Sequence, residues 1–434
     1  MTHRAVVGGG LLGAVVALRL AERGERVTLL EGATELGGLA SAWTLGDGDD
    51  AVTWDRHYHV TLMSDEHTRG LLRELGLEGD VDWGAGKAGL YAGGRLLPFS
   101  SPLDYLRLPL LGVVAKGRIA ATILAGAVRR DGRPLEAVPV VDWLRRWSGP
   151  EATARFWLPL LRAKLGSNAP LASASFIHAT IQRLFKARRA GVTADLFGTV
   201  RGGYATTLAA LERRLLAVGV EVQLGAPVTA VRAVAGGVEV ETAGGRARYD
   251  EVIVTTAAPV AARIVAGLTD DEHRRLTGVV YQGIVCASVL LRRPLSPYYL
   301  TYITDPAPFT AVVEMTALID PAQTAGRTLV YLPSYVPSDD PWLRRDDDAV
   351  RAEFLPALRA MHPTLTDADV LAFRVSRVPH VMPVPTLGYS DRLPPVRTSL
   401  PGVSLISSAH LVNATLNVDE TLALVERLLP EVLA

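Results

Sequence analysis

One cysteine stands in 434 residues, and 45 Lys+Arg balance 45 Asp+Glu to a formal net charge of zero. With Cys286 alone, an internal disulfide, a Cys-rich structural zinc site and a dithiol redox pair are all excluded. The balanced charge leaves no global field to gather a polynucleotide, so no nucleic-acid partner is expected. Long apolar runs are missing too. The most apolar stretch, Leu106–Val128, is interrupted by Arg107, Lys116 and Arg118, leaving uncharged runs of 8 and 10 residues, where a spanning helix needs about 20. That stretch reads as a helix pair covering a cavity; the alternative is a segment lying flat on a bilayer, its basic residues at the headgroups, as a peripheral membrane contact. The first strand begins by about His3. No room is left for a charged n-region and an apolar h-region, which predicts no secretory signal and a cytoplasmic protein.

What the chain does have begins at its fifth residue. Ala5–Val7 is an apolar strand run, and Gly8, Gly10 and Gly13 follow it as G-x-G-x-x-G, directly before a helical pattern. Gly8 permits a tight turn, Gly10 lets a pyrophosphate approach the backbone, and Gly13 lets the helix sit close to the sheet. The free N–H groups and positive dipole end of the helix then favour phosphate without any basic side chain. Val27–Leu30 form a second strand that ends in Glu31, 18 residues after the last glycine, close to the roughly 20 expected of a carboxylate that binds ribose hydroxyls. A dinucleotide without a 2′-phosphate is expected.

Glu35-Leu36-Gly37-Gly38-Leu39-Ala40-Ser41 follows closely. Together with the first motif it resembles the opening of the FAD-dependent family that contains amine oxidases, protoporphyrinogen oxidases and phytoene desaturases. In that family the Gly-Gly loop runs along the diphosphate and ribityl chain, which the resemblance assigns to Gly37, Gly38, Leu39 and Ala40. Two further stretches are similar to the same family. Tyr249–Pro259 matches the return of the chain to the nucleotide domain, with Val228 corresponding to a valine near the adenine. Pro401–Ala409 and Leu416–Thr421 match the closing strand, loop and final helix, which places Ser408, Asn417 and Val418 at the flavin end. Where the family has Gly-Asp-Ala, this chain has Ser407-Ser408-Ala409, and a serine binds a ribityl hydroxyl more weakly than a carboxylate. The cofactor implied is FAD.

The implied fold class is α/β: a discontinuous Rossmann-like FAD-binding domain (1–80, 196–275 and 395–434), a helical insertion (81–195) facing substrate or membrane, and an antiparallel-sheet substrate domain (276–394). Strand-like alternation over 281–340 and helical patterning from about 100 to 192 accord with it. Amine oxidases of the family carry a lysine that bridges through water to flavin N5. Matching the turn after it to Arg292-Arg293-Pro294 places Cys286 near that position, and the last lysine of the chain is Lys186. No lysine exists in the substrate sheet, which argues against amine oxidation.

In Trp54-Asp55-Arg56-His57-Tyr58-His59 an extended chain sets His57 and His59 on one face. Their proton exchange near neutral pH makes them candidate catalytic residues, and without a third ligand they form no metal site. Tyr281, Glu314, Tyr335, Arg374, Arg377 and His380 are candidates for the substrate wall, with Tyr281 and Arg377 the catalytic candidates among them. Asn417 caps the final helix or bonds the flavin ring. The reading is an FAD-dependent oxidoreductase of oxidase or desaturase type that removes hydride from a bulky, apolar, lipid-like small molecule. Two alternatives remain: a non-redox flavoenzyme resembling UDP-galactopyranose mutase, and a lipid carrier resembling Rab GDI.

Overall fold

A computed structural model describes residues 1–434 except 110, 190–195 and 413–414. The strand β1 (His3–Val7), the helix α1 (Leu11–Ala21) and the strand β2 (Arg26–Leu30) open the chain. Five parallel strands form the nucleotide sheet in the order Glu221–Gln223, β2, β1, Glu251–Val254, Val403–Leu405. Both faces of this sheet are covered, so the central strands are rich in Val, Ile and Leu, as in Val6-Val7, Leu29-Leu30 and Val252-Ile253-Val254. On one side α1, the helix Gly203–Ala217 and the final helix Val418–Leu433 enclose a core that includes Leu18, Leu29, Leu211, Ile253 and Leu428. On the other side Val7, Val252, Leu405 and the helix Ala258–Ile264 share a second core with the meander Val228–Tyr249. Segments far apart in sequence thus complete one sheet, as a discontinuous domain requires.

The substrate sheet has seven strands, in the order Val370–Pro383, Tyr281–Leu291, Thr328–Pro337, Ala311–Glu314, Leu300–Ile303, Ala88–Ala92, Arg95–Pro98. All its pairings are antiparallel except Leu300–Ile303 with Ala88–Ala92. Its two faces bury different partners, following the period of two. Val285, Ala287, Val330 and Leu332 face the helix Asp347–Met361. Ile284, Cys286, Tyr331 and Tyr335 face Trp54 and Tyr58, which come from the nucleotide domain.

Residues 81–98 are strands: Val81–Ala85 pairs with Leu196–Val200, and the hairpin turning at Gly93-Gly94 extends the substrate sheet. These strands are too short for period alone to separate them from helix. The helices of the insertion run from Pro102 onward and bury Ile119, Leu144, Trp157, Leu165 and Ile177 among themselves. The helical patterning between 140 and 165 is divided into separate pieces. Gly149 adopts φ +84 within the helical run Val140–Ala152, and a π-helical turn, Thr153–Trp157, precedes the helix Leu158–Leu165. Among the described residues no helix is long and apolar enough to cross a membrane.

One glycine decides whether the nucleotide turn can form at all. A Cβ on Gly13 would lie 1.9 Å from the carbonyl oxygen of Gly8, which is backbone and cannot swing aside. Gly13→Ala should therefore cost about 3 kcal/mol of stability, the upper range for overpacking; denaturant unfolding of the two proteins side by side measures it.

Candidate functional site

The nucleotide cradle is built almost entirely from backbone. Gly8, at φ +109, turns the chain out of β1, and its N–H donates to Leu30 O at 2.8 Å. The Thr255 hydroxyl lies 3.0 Å from the carbonyls of both Val7 and Gly8 and pins that turn from the neighbouring strand. Sequence reasoning did not single out Thr255 for this role, because its contact crosses some 250 residues of chain. No side chain caps α1 and no acidic residue sits in its first turn, so its leading N–H groups are left for an anion. A Cβ on Gly10 would meet nothing within 4 Å. Open space therefore lies beside the glycine at which a diphosphate would approach.

Glu31 stands at the rim. Its Oε2 accepts from Gly9 N at 2.5 Å and its Oε1 from Ala33 N at 2.7 Å, which fixes the carboxylate while each oxygen keeps acceptor capacity for ribose hydroxyls. Beyond the rim, Pro227 packs against Gly32, and Val228 begins the next strand half-buried against the second core. The second glycine loop is zipped to the first. Gly37 N donates to Gly9 O at 2.9 Å, and a Cβ on Gly38 would press on Gly10 Cα at 3.2 Å. Gly38–Ala40 then form a short 3₁₀ turn with Ala40 buried. An uncapped helix N-terminus, open backbone and a held carboxylate fit the pyrophosphate and ribose of FAD.

At the closing loop the structure sorts the remaining candidates. Asn417 is the N-cap of the final helix, which begins at Val418: its Oδ1 accepts from Glu420 N at 3.0 Å and its Nδ2 donates to Thr415 O at 2.7 Å. Ser408 Oγ lies 3.2 Å from the Tyr281 hydroxyl, which also accepts from Ala258 N at 3.3 Å. Tyr281 is buried in the second core and ties the substrate sheet to the closing loop. Arg377 lies on the far face of the substrate sheet. It pairs opposite Val285 and its guanidinium bonds Asp347 at 2.8 Å on the covering helix, so the sheet separates it from Cys286 and Tyr335. Strand alternation could not tell which face Arg377 takes, since the register is not legible. Arg374 stacks on Trp43 at the sheet edge, and Glu314 accepts from Leu295 N and Ser296 N, its carboxyl pushed up to about 7 by burial.

The two histidines have different surroundings. His57 is buried, and its Nδ1 lies 3.2 Å from Leu39 O on the second glycine loop. A carbonyl only accepts, so Nδ1 carries the hydrogen and Nε2 presents a bare lone pair; Nε2 has no partner among the described residues. Burial, followed by the neighbouring His59, pushes the His57 pKa down to about 4, which keeps the ring neutral. His59 packs on the Tyr204 ring, with Nδ1 3.5 Å from Asp55. Asp55 is itself buried. It accepts from Tyr204 N at the start of the helix Gly203–Ala217, while its backbone carbonyl accepts from the Tyr331 hydroxyl at 2.5 Å. Burial raises the carboxyl of Asp55 and His59 opposes the rise.

Tyr58 points the other way, into the substrate layer. Its hydroxyl is 3.1 Å from that of Tyr335, which in turn accepts from Lys164 Nζ at 3.3 Å. Lys164 also lies 5.2 Å over the Tyr335 ring and forms no ion pair with a carboxylate among the described residues. The reason it arrives here is Gly166. At φ +52 that glycine ends the helix Leu158–Leu165 so close to the sheet that a Cβ would sit 2.3 Å from Tyr335 O. Cys286, fully buried in the same layer, has its thiol pushed up by burial. Sequence reasoning noted the absence of a lysine from the sheet but missed the one that the insertion lowers onto it. The glycine at the end of a helix was the only signal.

Cradle, second loop and closing helix define an FAD-binding oxidoreductase fold. The chain belongs to the family of flavin containing amine oxidoreductases, whose profile matches residues 13–415. It is similar to the carotenoid phi-ring synthase of Streptomyces griseus, 28% identical over 92% of this chain and 81% of that one. It is also similar to the coproporphyrinogen III oxidase of Mycobacterium tuberculosis, 25% identical over 95% and 94%. A solved structure titled provisionally as a protoporphyrinogen oxidase, from Exiguobacterium sp. 255-15, superposes with a TM-score of 0.78 at 20% identity, over 99% of this chain and 98% of that one. FAD is the cofactor.

Because the fold holds His57 at about 4 against 6.5 in the unfolded chain, the unfolded state takes up its proton first as pH falls. The contribution of His57 is complete above pH 6.5 and is lost on the way down to about 4, by about 3 kcal/mol at most. Unfolding free energies measured between pH 7 and 4 should fall more steeply for the native protein than for His57→Gln; parallel curves would refute this.

Proposed function

We propose that this chain is an oxidase or desaturase that takes hydride from a C–H bond of a bulky, mainly apolar molecule lodged between the glycine loops and the substrate sheet. The observation that carries this reading is the lining of that layer. Ile284, Cys286, Tyr299, Tyr331 and Tyr335 pack there with Trp54 and Tyr58, and among the described residues no lysine or carboxylate of the sheet joins this apolar cluster. An amine would arrive as a cation, and among the described residues the sheet side of the layer offers it no carboxylate. The two relatives are named for a carotenoid and a coproporphyrinogen, both large carbon skeletons, and support the size and class proposed.

FAD, when bound, would supply the acceptor for the hydride, two electrons with one proton. The protein supplies the rest of the balance. The second hydrogen would leave the substrate as a proton, and His57 Nε2, buried, neutral and without a partner among the described residues, is the nitrogen that would take it up and pass it on, since burial keeps the ring from staying charged. Lys164 donates to Tyr335, so the Tyr335 hydrogen is free to turn to Tyr58 and the Tyr58 hydrogen to turn towards the substrate. This directional relay places a hydrogen-bond donor at the polar edge of an otherwise apolar layer, where it orients any oxygen the substrate carries.

Anaerobic mixing of the FAD-loaded protein with a carotenoid polyene, a porphyrinogen and a primary amine distinguishes the readings by bleaching of the flavin band. The polyene or the porphyrinogen should bleach it and the amine should not. Fastest reduction by the amine would overturn the proposal. Turnover that requires reduced flavin yet consumes no electrons would select the mutase-like alternative, and preparations that release no flavin on denaturation would select the carrier. With the substrate that reduces the flavin, Lys164→Met should lower kcat/KM about tenfold while flavin content stays unchanged.

A further inference from the structure

Eight of the thirteen large apolar side chains exposed on the described surface fall between Leu103 and Trp147. They are not scattered. On the helix Val113–Val128 one stripe is uncovered: Val113 is 86% exposed, Val114 78%, Leu124 60% and Val128 68%. The same helix buries Ala115, Ile119, Thr122 and Gly126 on its opposite side, so it has two apolar faces where a surface helix ordinarily has one. The preceding helix, Pro102–Arg107, adds Leu103 and Leu106. Its placement beside the stripe is fixed, because Lys116 Nζ donates to Leu106 O at 2.7 Å and the Tyr105 hydroxyl donates to Lys116 O at 2.9 Å. Trp147, 46% exposed, joins from a third helix: Arg118 donates to the backbone carbonyls of Trp147 and Arg146, at 3.1 and 3.0 Å.

The charge around this patch differs from that of the chain. Residues 101–150 hold eight Lys and Arg against four Asp and Glu, a net charge of +4 within a protein whose total is zero. Arg107, Arg129, Arg130, Arg145 and Arg146 are exposed at its borders. An apolar stripe bordered by guanidinium groups, with an exposed indole on one flank, matches the boundary of an anionic bilayer, where hydrocarbon meets negative headgroups.

We infer that this face docks on an anionic lipid bilayer, with the helix Val113–Val128 lying parallel to the surface. No span is involved. The inference rests on the exposed face and not on the substrate, so it stands or falls separately from the oxidase reading.

Co-sedimentation of the FAD-loaded protein with phosphatidylcholine vesicles, made with and without phosphatidylserine, tests it. Binding should require phosphatidylserine, weaken as salt is raised, and fall about tenfold or more in the double variant Val114→Asp with Leu124→Asp. Both positions are solvent-exposed, and unchanged flavin content and light-scattering mass confirm that the fold survives. A second variant, Arg129→Glu with Arg130→Glu, should weaken binding through charge alone. The inference is overturned if the native protein stays in the supernatant with phosphatidylserine vesicles, or if neither variant alters the binding. A native dimer that the double aspartate variant reduces to monomer, with no lipid binding, also overturns it and assigns the face to a second copy of the chain.

Discussion

The architecture depends on one approach of backbone to backbone. At the end of the first strand the carbonyl of Gly8 and the α-carbon of Gly13 come so near that no side chain fits between them. This contact sets the helix Leu11–Ala21 on its sheet and aims its unfilled N–H groups at one point. Neighbouring parts are placed relative to that point. Thr255 holds the turn from one side, Gly9 accepts the second glycine loop from the other, and Glu31 closes the rim by bonding Gly9 and Ala33. None of these contacts uses a basic side chain. Anion affinity built from dipoles and amides suits a chain with no net charge.

A second constraint joins the nucleotide domain to the substrate sheet. The segment from Trp54 to His59 lies between them, and successive residues serve different neighbours. Asp55 caps the helix Gly203–Ala217 and receives the Tyr331 hydroxyl, His57 faces the glycine loop, and Tyr58 enters the substrate layer. A short run of chain thus ties glycine loop, helix and sheet to one another. Burial acts on each group according to its charge: it keeps His57 neutral and raises the carboxyl of Asp55 until His59 opposes it.

What was legible in the sequence follows from this. The glycine motif, Glu31 and the Gly-Gly loop were readable because local backbone geometry demands those residue types at those spacings. Asn417 as a cap was readable for the same reason. The substrate layer was not. Arg377 and Tyr335 both lie on strands of the same sheet, yet one bonds Asp347 outside and the other meets Tyr58 inside, and only the register decides between them. Lys164 could not be found from the sheet at all, since it arrives from a separate domain and depends on how closely Gly166 packs. The strands within 81–98 were hidden by their shortness, and apart from the pairing within the hairpin their partners lie some 100 to 200 residues further on.

The hairpin Ala88–Pro98 has a mechanical consequence. The insertion leaves the substrate sheet through this hairpin, and beyond the insertion the strand Leu196–Val200 pairs with Val81–Ala85. Midway it is bolted again, where Glu136 accepts from Ser390 and Ser173 N donates to Pro385 O. Among the described residues the insertion is thus held at three separated places rather than hung from one edge of the sheet. A load on the insertion is therefore shared between the substrate sheet and the strand Val81–Ala85 instead of falling on a single joint.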